Sequence, residues 1–171
     1  MSRPDDHLKL ARRLLTLHPI RPNQVELGRA VATAYYALFH LLTEDVARLF
    51  VAEQRELSAR LARTVDHKPF KEVSKQMIGG NWPNVLKPIP GGFVVPPDLA
   101  QVAKAAVRLQ EERIRADYDS TSSFTRVEAS ELVDMAEDAF AAWRRVRQTD
   151  EARLYLACFL LWKTWNDKEP R

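Results

Sequence analysis

Apolar residues along this chain recur at steps of three and four, the spacing that lines one face of an α-helix. No segment shows the strict alternation of a main β-sheet. Pro4 with Asp5 and Asp6 predicts a helix start, because proline and acids suit a first turn. That helix runs to about Leu17. His18-Pro19-Ile20-Arg21-Pro22 then breaks it. A second helix runs from about Pro22 to Val51. Its centre, Ala30 to Thr43, has no charged residue apart from His40 when protonated, so the pattern predicts a helix wrapped on most sides.

Shorter helices are predicted over Gln54 to Thr64 and Pro69 to Ile78. Gly79 to Pro97 holds four of the five glycines and five of the ten prolines, which excludes a helix there. A tight turn at Pro90-Gly91-Gly92-Phe93, with short flanking strands, fits its composition. Such a long loop is either a lid or binding loop, or a tolerated insertion. A fifth helix covers Asp98 to Tyr118, a polar turn follows at Asp119, and further helices cover Thr125 to Arg147 and Thr149 to Trp165. The tail from Asn166 to Arg171 is expected to fray. The fold class expected is all-α, an up-and-down bundle of four main helices plus shorter ones with one long Gly/Pro loop.

Composition narrows the picture only a little. Length predicts a single domain over residues 1–171 with a real core, and 46% hydrophobic with 29% charged residues is a globular balance. A net charge of +3 permits an acidic partner without demanding one. The lone Cys158 lies in an apolar run and predicts a buried, inert thiol. The first residues lack the apolar core of a secretory signal, and the longest apolar runs are too short to span a bilayer, so a cytoplasmic protein with no membrane association is expected.

Two helices carry candidate chemistry. The apolar face of the fifth helix is Leu99, Val102, Ala106 and Leu109, and its continuation lands on Arg113 and Asp117. Both lie within about 40° of the stripe's centre. Charges pointed at a core need partners, so they mark either a structural ion pair (Arg113–Asp117, or an Arg29–Asp117 bridge between helices) or a site. On the second helix, Arg29, Thr33, Tyr36 and His40 form one stripe opposite Leu27, Val31, Leu38, Leu42 and Leu49. That stripe is either a solvated face or a polar seam inside the bundle.

The segment Arg29-Ala-Val-Ala-Thr-Ala-Tyr-Tyr-Ala-Leu-Phe-His40 resembles the second-helix signature of HEPN domains. Arg113-Ile-Arg-Ala-Asp-Tyr-Asp119 is similar to the end of a later HEPN helix, and His67 with Lys68 and Lys71 resembles a histidine found between the two. The likeness spans roughly Arg29 to Trp143. It implies a helical bundle that is often dimeric, with a role in RNA or nucleotide handling. Many such proteins are metal-independent endoribonucleases, including toxins whose partner is an antitoxin. On that likeness His40, His67, Arg113 and Tyr118 are the catalytic candidates. Arg29, Tyr36, Arg115 and Asp117 are the candidates for holding RNA or nucleotide.

This sequence departs from the family's usual motif of Arg, four to six residues, then His. Five residues after Arg113 stands Tyr118, and a phenol with a pKa near 10 is a poor base at pH 7. Arg60 and His67 fit the spacing. No cofactor is expected. Di-iron Glu-x-x-His pairs, a Cys-rich zinc site, a phosphate-loop ending and a Gly-x-Ser-x-Gly elbow are all missing from the sequence. Within the seventh helix, the stretch Leu154 to Trp162 is apolar nearly all round and packs either across the bundle or into a homodimer seam. The alternatives are therefore an RNA-binding domain or ribonuclease, a non-catalytic helical interaction module, and a small-nucleotide sensor.

Overall fold

The structure is a computed structural model that describes residues 2–18, 20–21, 23–51, 54–79, 94–119 and 121–166. Seven helices and no strand occur among them: α1 (Arg3–Leu14), α2 (Gln24–Phe50), α3 (Arg55–Ala62), α4 (His67–Ile78), α5 (Pro97–Tyr118), α6 (Arg126–Val146) and α7 (Asp150–Asn166). The described residues thus form an all-α bundle of four longer helices and three shorter ones, as the patterning predicts. The turn expected at residues 90–93 and the tail beyond residue 166 lie outside the described residues; residues 94–96 form no strand. Among the described residues no helix is long and apolar enough to cross a membrane.

The packing divides into two compact units, Met1–Leu41 with Ala105–Ala141, and Leu42–Lys104 with Ala142–Arg171. Helices α2, α5 and α6 each contribute residues to both. In the first unit, Leu27, Ala30, Val31, Ala34, Tyr35 and Leu38 of α2 are buried, together with Ala106 and Leu109 of α5. Helix α1 is held to α6 by Arg12, whose guanidinium contacts Asp134 and lies 2.7 Å from Glu137. The α5–α6 connection is fixed by Gln24. Its side-chain amide donates to the Phe124 carbonyl (3.0 Å), and its carbonyl accepts the Phe124 N–H (2.8 Å). Thr125 and Glu128 then begin α6 with a capping box. The Thr125 hydroxyl accepts the Glu128 N–H (3.1 Å) and the Glu128 carboxylate accepts the Thr125 N–H (2.7 Å).

In the second unit, α4 and α7 pack together, burying Phe70, Val73 and Met77 with Tyr155 and Phe159. The Phe70 and Phe159 rings are 5.2 Å apart. A hydroxyl pair, Ser74 and Tyr155 at 2.7 Å, lies in the dry interior of that contact. One side of α7 is therefore covered within the chain (Tyr155, Leu156, Cys158 and Phe159), while Leu161 on another side is exposed.

Candidate functional site

The polar stripe of α2 lies in the first unit. Around it the helix is rich in alanine, so Ala30, Ala34 and Ala37 bury with almost no side-chain bulk. Thr33, Tyr36 and His40 are half-buried and Arg29 is exposed. The seam predicted from the charge-free run therefore begins at Thr33.

Helix α5 supplies the charges. Its side chains at Leu99, Val102, Ala106 and Leu109 are fully buried, and the same face continues to Arg113 and Asp117. Those two side chains are only 18% and 22% exposed. Arg113 Nη2 donates a 2.6 Å hydrogen bond to the Tyr36 hydroxyl. Arg113 Nε lies 2.7 Å from Asp117 Oδ2, but its N–H is not aimed at that oxygen, so the contact is an ion pair without a hydrogen bond. The guanidinium carbon stands 5.4 Å from the Tyr36 ring centre and 5.7 Å from that of Tyr118, within cation–π range of both. Burial works against the Arg113 charge. Tyr36, then Asp117 and Tyr118, outweigh it and raise its pKa above the ordinary value.

Beyond Tyr36 the cluster continues as stacked rings. Tyr36 and His40 are 6.3 Å apart at 27°. His40 stacks in turn on His7 of α1, with centres 5.2 Å apart and planes at 23°. Burial, followed by the charge of Arg3, lowers the His7 pKa from its ordinary 6.5 against the pull of Asp6. His7 is therefore an uncharged imidazole at neutral pH. Arg113, Tyr36, His40 and His7 form a continuous chain of side chains from three helices.

No protein-family model, characterised protein or solved structure matches this chain. What the cluster can do rests on its own geometry: a fixed guanidinium for an oxyanion, two adjacent imidazoles for proton transfer, and an aromatic face for stacking.

The other candidates fall in different surroundings. Tyr118 ends α5 and is 75% exposed. Arg115 Nη2 donates to the Ser123 carbonyl at 2.6 Å, and Nη1 lies 3.0 Å from Glu112; the group sits 4.3 Å above the Phe124 ring. That arginine is engaged in holding the α5–α6 turn. His67 is the first residue of α4 and belongs to the second unit.

Three residues of consequence escaped the sequence reading. His7 carried a signal, since it follows Pro4 by three and precedes Ala11 by four on the buried face of α1. Glu112 is buried between Arg108 (2.9 Å) and Arg115 (3.0 Å), and those flanking arginines were visible at i−4 and i+3. Asp45 is buried in the second unit against Trp143, Arg48 and Arg147. Its indole partner is 98 residues away.

Proposed function

We propose that this chain is a HEPN-like domain that binds RNA or nucleotide at the Arg113–Tyr36–His40–His7 cluster and cleaves RNA there by transesterification. The observation that carries the reading is the guanidinium of Arg113, held by the Tyr36 hydroxyl one turn of α2 away from two stacked imidazoles. The position of Asp117 supports it. An acid in the last turn of a helix opposes the helix dipole, and Arg before Asp is the weaker order for an i,i+4 pair, so helix stability alone gives no reason for this pair.

In the reaction proposed, one imidazole takes the proton of a ribose 2′-OH. That oxygen bonds to the adjacent phosphorus, the bond from phosphorus to the 5′-oxygen breaks, and the second imidazole protonates the departing oxygen. Arg113 balances the charge that grows on the phosphoryl oxygens. His7 suits the part of base because its lowered pKa keeps it unprotonated at neutral pH. The exposed ring of Tyr118 offers a face for a base to stack on. Arg29, exposed on the same stripe, adds a cation for the adjoining phosphate.

The test is cleavage and binding of a fluorescent RNA by the purified chain, alone and with any antitoxin-type protein partner. Arg113→Ala is expected to lower the cleavage rate by about 10²–10³-fold, the effect of losing one oxyanion donor. Intact RNA and no RNA or nucleotide binding under all conditions would overturn the proposal. A second reading, a non-catalytic helical interaction or dimerisation module, is favoured by the closed Arg113–Asp117 ion pair. It predicts that Arg113→Ala lowers the melting temperature and leaves any RNA binding untouched.

A further inference from the structure

A second cationic feature lies wholly within the second unit. A cleft of about 550 Å3 is lined by Asp45, Arg48 and Leu49 of α2, by Arg147 in the turn after α6, and by Arg153 in the first turn of α7. A cleft of that size falls in the range of small-ligand sites. Three guanidiniums are brought to it from three places in the chain.

Asp45 explains how two of them are kept there. Its side chain is only 6% exposed. Oδ2 accepts the Trp143 indole N–H at 2.7 Å, which fixes the carboxylate from the dry side. Oδ1 alone meets both Arg48 Nη1 (2.7 Å) and Arg147 Nη2 (3.3 Å). One carboxylate thus orders two guanidiniums while neutralising only one. Arg48 also has Glu44 at 3.5 Å, and Arg153 has Asp150 at 3.2 Å. Those contacts are solvent-exposed, worth little in water, and exchange readily for a better acceptor. Each guanidinium has five N–H donors in a planar fork that matches a phosphoryl oxygen pair, and Asp45 engages one nitrogen of each.

We propose that this cleft is a phosphate-binding site, taking the phosphoryl groups of a small phosphorylated ligand or of a nucleic-acid backbone. Arg48, Arg147 and Arg153 supply charge-assisted hydrogen bonds, and Asp45 is a positioning residue that holds the first two in place. The site uses none of the residues of the cluster in the first unit, so phosphate binding there can be measured without RNA cleavage.

Calorimetric titration of the whole chain with inorganic pyrophosphate tests it at low salt, with a short single-stranded RNA as competitor. One-to-one binding is expected, weakened about tenfold by Arg153→Gln or by Arg48→Gln, in line with the loss of one charged hydrogen bond. Arg13→Gln, which removes an exposed charge on α1, leaves the affinity unchanged. Arg153 is exposed and its substitution does not disturb the buried Asp45 group, which separates binding from folding. Displacement of pyrophosphate by RNA supports the site and assigns it to a nucleic-acid backbone; retention supports it and assigns it to a small phosphate ligand. Absence of heat with both probes, or affinity unchanged in both arginine variants, overturns the proposal.

Discussion

Cys158 sits on α7 with its sulfur enclosed by the second unit's core, and burial pushes its thiol pKa up to about 12. The thiolate is the reactive form, so both access and charge are denied. Native protein at pH 8 is expected to react with a thiol reagent such as DTNB at least about a thousandfold more slowly than the chain in denaturant, from thiolate fraction alone. Fast labelling of the folded protein would mean that α7 opens locally. The same enclosure makes clear which site residues were legible. Arg113 and Asp117 stood out because they continue an apolar stripe, and both are indeed mostly covered. Asp45 did not stand out. It lies beside Glu44 and Arg48 at the charged end of α2, where acids read as solvated, and its burial comes from Trp143, far along the chain. His7 was readable from the face of α1, but the ring it stacks on belongs to another helix.

At the scale of elements, the helices were legible from periodicity, and their ends were set by details that periodicity does not carry. Helix α4 begins at His67, two residues before the predicted Pro69. Proline is tolerated in that first turn because its missing N–H would have had no partner there; the first helical bond runs from the Phe70 N–H to the Asp66 carbonyl at 3.3 Å. Helix α1 stops at Leu14, short of the predicted Leu17. The Thr16 N–H and hydroxyl both bond to the Arg13 carbonyl, at 3.0 and 2.9 Å, and tighten the last turn. Gly28 is an interior glycine of α2 that neither a turn nor a close approach requires. A Cβ there would lie 3.7 Å from Ala116 Cβ, an ordinary contact. Gly28→Ala is therefore expected to stabilise the protein by about 0.5–1 kcal/mol, read from urea unfolding, through reduced freedom of the unfolded chain. A destabilised variant would show that α2 and α5 need the bare backbone at that point.

At the scale of the whole molecule, proton linkage predicts how stability responds to acid. The folded-state pKa of His7 lies below its ordinary 6.5, so the unfolded chain binds the proton more readily. The stability associated with this group is present above about pH 6.5 and is lost as pH falls toward the folded value. A second group of shifts acts lower. Asp98 is held below its ordinary 3.8 by hydrogen bonding to Arg145, Asp119 below 3.8 by the Thr121 hydroxyl, and Glu128 below 4.5 by the Thr125 N–H. For these carboxylates the contribution is present above the ordinary value and disappears as pH falls through the folded one. The urea midpoint is thus expected to decline from pH 7 to pH 5 and again below about pH 4. His7→Gln separates the two phases, because it removes a titrating group and leaves the carboxylates alone. Its midpoint should vary less between pH 7 and 5 than that of the wild type, while the drop below pH 4 persists. An unchanged slope in the upper window would mean that His7 titrates in the folded chain as it does in the unfolded one, and would remove the physical basis for giving it the part of base.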